Sequence, residues 1–230
     1  MAFSESPAAG VHCCAAAATE DGLLACREGG TGKTTFALRA AMAVATGRPL
    51  FGMQVTQGKA VYIGMEDQPD SLRRRVHWIA QREQERMRFE GASPEALDRY
   101  REALKENCCI VPGVGEEFHL VTMVAGQIRQ SEAITELIEK LPRPLELLTL
   151  DPLARLHGVN ENDNAAATAF INCAERIARE TQSTVLIPHH TGKTSAKEGN
   201  VSQYSGRGAS GFVDASRSSI RLIAVKADAA

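Results

Sequence analysis

Two hydrophobic patterns alternate along this chain. Short unbroken apolar runs recur at residues 59–64 (Lys-Ala-Val-Tyr-Ile-Gly), 108–111, 145–150 and 183–188, each stopped by acidic, histidine or Pro/Gly punctuation. Runs of that length without polar interruption are what strands covered on both faces require. Between them, apolar residues recur every three or four positions. Phe36, Ala37, Ala40, Ala41 and Val44 predict a helix over Lys33–Thr46. Leu72, Val76 and Ile79 predict a second over 68–89, started by Pro69-Asp70, and Ser93-Pro94 opens a shorter one to about residue 105. A helix over 131–141 is closed by Pro142 and Pro144. Another, capped by Asn162 or Asp163, runs to Thr181 with Phe170, Ala174, Ile177 and Ala178 inward. Short strands are expected at 22–26 and 219–225.

Strands alternating with helices predict an α/β fold with a mostly parallel sheet flanked by helices. In such sheets ligands sit at the carboxyl ends of the strands. Glu66-Asp67, Asp151 and His189-His190 each follow a predicted strand, so all are expected at one end of the sheet, in one site. Residues 1–20, small, polar and aperiodic, read as a loose leader, and 21–230 as one domain.

Composition narrows the picture. The 230 residues are 43% hydrophobic and 23% charged, as in an ordinary globular chain. The net charge of −2 provides no overall basic field, so contact with nucleic acid would need a local patch or loop. Six cysteines, four of them in vicinal pairs, make a poor disulfide framework and show no zinc spacing, which suits a reducing cytoplasm. No apolar run approaches the roughly 18 residues of a membrane span. The start lacks the basic region of a signal peptide.

The strongest chemical signal is Gly29-Gly30-Thr31-Gly32-Lys33-Thr34, followed by Thr35, between the strand at 22–26 and the helix from Lys33. Glycines let successive backbone N–H groups turn inward around phosphate oxygens. Lys33 brings a charge to the β- and γ-phosphates, the Thr34 hydroxyl is a ligand for Mg²⁺, and the helix N-terminus adds its positive end. ATP with Mg²⁺ is the expected ligand. Arg27 stands where the first glycine of this pattern belongs, with Glu28 beside it.

The other candidates surround that loop. Asp151 is placed to hold Mg²⁺ together with Thr34. Glu66 is placed to orient and deprotonate an attacking water, with Asp67 as the cap of the next helix. His189 and His190 point to opposite faces if extended, so they are either structural or supply one sensor of the γ-phosphate. Residues 191–205, rich in Gly, Ser and Thr with Lys193 and Lys197, read as a loop suited either to the backbone of single-stranded DNA or to no partner. Arg207, flanked by small residues, suits an arginine given to a neighbouring subunit or a surface ion pair. Arg73, Arg74 and Arg75 read as a solvated helix face.

In order, Gly-Gly-Thr-Gly-Lys-Thr, Tyr-Ile-Gly-Met-Glu-Asp, Leu-Asp-Pro-Leu-Ala-Arg-Leu-His, Pro-His-His-Thr-Gly-Lys and Arg-Gly-Ala-Ser resemble the RepA-like branch of RecA-fold ATPases, an AAA-domain family that includes plasmid replicative hexameric helicases. The resemblance implies a RecA-like P-loop core, ATP and Mg²⁺, Glu66 as base and Asp151 as the metal-holding acid. It also implies His189 or His190 as sensor, Arg207 as intersubunit finger, and a hexameric ring around DNA. Against that family the chain is expected to be incomplete at both ends. A regulatory or recombination-associated ATPase without unwinding, and a nucleotide-binding module with impaired hydrolysis, remain alternatives.

Overall fold

The computed structural model describes residues 32–160 and 163–189, with Phe212 and Ile220. In chain order these residues form α1 (Lys33–Thr46), β1 (Ala60–Gly64), α2 (Pro69–Phe89), α3 (Pro94–Asn107), β2 (Cys108–Pro112), β3 (Val121–Val124), β4 (Gln127–Gln130), α4 (Ala133–Lys140), β5 (Leu147–Asp151), β6 (His157–Gly158), α5 (Asn164–Thr181) and β7 (Thr184–Leu186). A single 3-10 turn, Leu153–Arg155, follows β5.

The main sheet has the order β2-β1-β5-β7, with every pairing parallel. β1 and β5 lie side by side within it and are buried along their whole length. That is why both read as unbroken apolar runs. Their side chains alternate between two cores. Val61, Ile63, Leu148 and Leu150 face a cluster built with Ile134, Leu137 and Ile138 of α4 and Phe170, Ile177 and Ala178 of α5. Ala60, Tyr62 and Leu147 face the opposite cluster, built with Ala37, Leu38, Ala41 and Val44 of α1 and Leu72 and Ile79 of α2. Helices therefore cover both faces of a parallel sheet, as the alternation of elements requires.

The helix ends follow from local chemistry. Ser93 accepts from Ala96 N at 3.3 Å to start α3. Asp163 accepts from Ala165 N and Ala166 N at 2.8 and 3.4 Å to start α5. Asp67, however, does not cap α2. Gln68 holds the N-cap position with no side-chain bond, while the Asp67 carboxylate accepts from Arg75 Nη2 at 3.2 Å. Arg73 is similarly paired with Asp70, at 2.9 Å, and Arg74 is exposed.

One feature lies outside the hydrophobic pattern: a hairpin, β3 with β4, extended by a parallel pairing of β3 with β6. Its two turn residues, Ala125 and Gly126, have φ of 49° and 74°. A two-residue hairpin turn needs positive φ at both positions and usually announces itself with Asn-Gly or Asp-Gly. An alanine there hides it. Cys108 and Cys109 are neighbours in β2 and belong to opposite faces of the sheet. Burial pushes the Cys108 thiol up to about 12, as expected of an inert structural cysteine. The strand expected at 22–26 lies outside the described residues. So does the one at 219–225, except Ile220, which is in no strand.

Leu148 of β5 is fully buried against the α4/α5 layer. Leu148→Ala is expected to cost about 2–5 kcal/mol of stability in a denaturant titration. Phe89→Ala, at a residue 94% exposed, should move the midpoint by no more than about 0.5 kcal/mol.

Candidate nucleotide site

α1 begins abruptly at Gly32, whose φ of 84° puts it in the left-handed region. A side chain there would meet nothing within 4 Å, so the demand for glycine is conformational and not one of space. Gly32 has no side chain with which to cap the helix, and no acidic residue sits in its first turn. The first N–H groups of α1 are thereby left to an anion rather than to a carboxylate of the chain. Lys33, the first helical residue, is buried. Thr34 and Thr35 follow it, half-buried.

Directly beneath, β1 and β5 end in register, with Gly64 opposite Asp151 and Tyr62 opposite Thr149. One further bond, Met65 N to Asp151 O at 2.8 Å, ties the two strand ends together. Asp151 shares its face of β5 with Leu147 and Thr149, the face that meets α1. It is 5% exposed. The Tyr62 hydroxyl donates to Asp151 Oδ2 at 2.7 Å. To get there the Tyr62 ring leans along the strand over Gly64. A Cβ at Gly64 would stand 2.9 Å from Tyr62 Cε1, so this glycine is needed for close approach. Thr34, in the first turn of α1, lies near enough to this carboxylate and to the Tyr62 hydroxyl to favour the ionised form of each.

The electrostatics follow from that geometry. Burial, the largest influence, raises the Asp151 carboxyl above the usual aspartate range. The hydrogen bond from Tyr62 and the nearby Thr34 pull it back in part, and the charges of Glu66 and Asp67 push it up again. Tyr62 is raised far above an ordinary phenol, first by burial and then by the Asp151 charge, so its hydroxyl remains a donor.

Magnesium prefers oxygen ligands, keeps much of its water and needs only one or two protein side chains beside phosphate. The Thr34 hydroxyl and the Asp151 carboxylate are oxygen donors of that kind, near one another at the start of a helix that favours anions. Among the described residues no group of three or more His, Cys, Asp or Glu forms a competing all-protein cage. The residues present fit that ion in company with a polyphosphate.

The structure brings Lys33, Thr34, Thr35, Glu66 and Asp151 to one end of the central strands. Glu66, just past β1, is half-exposed and paired with Arg155 Nε at 3.2 Å. His189 follows β7 and has its ring 5.5 Å from that of Phe212. Leu153 N donates to Pro188 O at 2.9 Å, tying the turn after β5 to the residue before His189. Gly29, Gly30, Thr31, His190 and Arg207 lie outside the described residues. Tyr62 and Arg155 were not among the candidates read from the sequence. A tyrosine two residues before a strand-ending glycine was the available signal for the first. The second depends on a pairing between two loops, which spacing does not reveal.

The folded protein holds the Asp151 proton more tightly than the unfolded chain does. Stability of the nucleotide-free protein therefore falls as pH rises through the folded-state pKa of Asp151, and the burden of the buried charge is fully present above it. In metal-free buffer, Asp151→Asn should melt at or above the wild-type temperature at neutral pH, with the difference shrinking toward about pH 4. Thermal melting of both proteins across that range checks this.

An anion-favouring helix start, a buried lysine and a buried aspartate meet at the ends of β1 and β5, an arrangement suited to holding phosphate. A family profile described as an AAA domain matches residues 23–196, well over half of the chain. With its α/β core of RecA-like type, the chain belongs to this AAA-domain family of P-loop ATPases.

Proposed function

We propose that the chain hydrolyses ATP in the presence of Mg²⁺ and acts, as a hexameric homo-oligomer, on single-stranded DNA in the replication of a plasmid- or phage-type element. The observation that carries the first part is the buried Asp151 carboxylate, 5% exposed and bonded by the Tyr62 hydroxyl at 2.7 Å, at the end of β5, on the face that meets α1 with Lys33 and Thr34 at its start.

In this reading Gly29, Gly30, Thr31 and Gly32 wrap the phosphates, Lys33 places its ammonium on the β/γ oxygens, and Thr35 extends the contact from α1. Thr34 and Asp151 hold Mg²⁺, which when bound neutralises the charge that develops on those oxygens. Glu66 orients a water and takes its proton. His189 or His190 senses the γ-phosphate, and Arg207 reaches into the neighbouring subunit. The segment 191–205, with Lys193 and Lys197, is the DNA contact.

The DNA role, the ring and the helicase activity rest on the resemblance to the RepA-like branch, whose motifs run in the same order here. The cytoplasm is the compartment that goes with this role. Among the described residues no helix is long and apolar enough to cross a membrane.

ATP turnover of the purified chain tests the reading. Glu66→Gln should lower turnover by about 10²–10⁴-fold while nucleotide binding persists. Lys33→Ala should lose binding. Single-stranded DNA should stimulate the wild type, and the stimulation should fade as salt rises. Turnover unchanged in Glu66→Gln removes the proposed base. Stimulation without displacement of a paired strand leaves a DNA-dependent ATPase and removes the helicase.

A further inference from the structure

A carboxylate that takes a proton from water must be held still while keeping an open oxygen. Glu66 lies beyond the last bond of the β1/β5 seam, Met65 N to Asp151 O, so the sheet does not fix its side chain. Its side chain makes one hydrogen bond among the described residues, through Oε1 to Arg155 Nε at 3.2 Å. Oε2 is left open. Both Nη groups of Arg155 are likewise without a hydrogen-bond partner among the described residues.

Arg155 itself stands on a stiff support. It ends the 3-10 turn Leu153–Arg155, and its N–H donates to Pro152 O at 3.1 Å. The leucines that bracket it, Leu153 and Leu156, are both in the core, and Leu156 N closes the turn on Leu153 O at 2.9 Å. Leu153 N is bonded in turn to Pro188 O at 2.9 Å, at the end of β7. The backbone of Arg155 is therefore set by packing and by three hydrogen bonds, while its guanidinium reaches back over the β1/β5 seam. The two side chains are 61% and 46% exposed. An ion pair so accessible to water adds little to stability, so the fold itself does not call for it.

We propose that Arg155 is a positioning residue for Glu66: it holds Oε1 so that Oε2 faces the attacking water. This rests on the reading of Glu66 as the base.

Steady-state ATP hydrolysis by Arg155→Ala, Arg155→Lys, Glu66→Gln and the double variant Arg155→Ala/Glu66→Gln tests it, with melting temperature measured alongside. Arg155→Ala should lower kcat by about 10- to 100-fold, the size of effect that misplacing a reacting group produces. Its KM for ATP should stay within about twofold of the wild type. Arg155→Lys should regain part of kcat, because a single ammonium can make the single contact. In the Glu66→Gln background the Arg155→Ala change should cost nothing further, since it acts through the missing carboxylate.

Wild-type kcat in Arg155→Ala overturns the proposal. So does an equal loss in both backgrounds, which would place Arg155 on the nucleotide, and so does a loss that follows a lowered melting temperature and that lysine does not repair. If Glu66→Gln keeps wild-type turnover, the assignment of the base falls and this proposal with it. If Glu66→Gln is inactive and Arg155→Ala is normal, only the role of Arg155 falls.

Discussion

A carboxylate buried at the end of an otherwise apolar strand is the constraint around which this fold is arranged. An unpaired ion in a protein interior costs several kcal/mol even after relaxation. Asp151, 5% exposed, faces α1 and accepts a hydrogen bond from the Tyr62 hydroxyl. A hydrogen bond to a charged group returns about 1.5–3 kcal/mol, so the bond from Tyr62 offsets part of that cost. The remainder is visible in the raised pKa of the carboxyl. A buried carboxylate whose proton is held more tightly than usual is one that a bound cation would stabilise, as suits the proposed role of Asp151 in holding a metal ion.

Several features of the chain make sense as supports for that group. Gly64 is small so that the Tyr62 ring can pass over it. Gly32 takes a backbone angle that starts α1 without a cap, so that Thr34 falls over the β5 end. β1 and β5 end in register, and the extra bond from Met65 N brings Glu66 to the same rim. On the other side of β5, the Leu153 bond to Pro188 brings His189 into the same neighbourhood as the turn that carries Arg155. The helix start and the two acids proposed to hold the metal and to serve as base thus depend on two strands and one helix whose relative placement is fixed by two apolar cores.

Where burial decides, the sequence was legible. α1 has the expected ends because its apolar stripe stops at Gly47, and β1 and β5 are unbroken apolar runs because both of their faces are covered. Asp163 caps α5 as a short acid before an alanine-rich helix should. Where pairing across the fold decides, it was not. Asp67 looked like a cap and instead pairs with Arg75, two helical turns away. The β3/β4 hairpin turns on an alanine with positive φ. Tyr62 matters only because of the register of β1 with β5, and Arg155 only because two loops meet. Neither relation has a spacing that a linear reading can detect.

The central claim is that Thr34 and Asp151 together receive a metal ion brought with a triphosphate. Isothermal titration of ATP into the wild-type chain and into Asp151→Asn, each with magnesium and with chelator, measures it directly. The account predicts that magnesium tightens binding to the wild type by about tenfold, the equivalent of roughly 1.4 kcal/mol, and has little effect on the variant. Equal wild-type affinities with and without magnesium, or a full magnesium effect in Asp151→Asn, would contradict it.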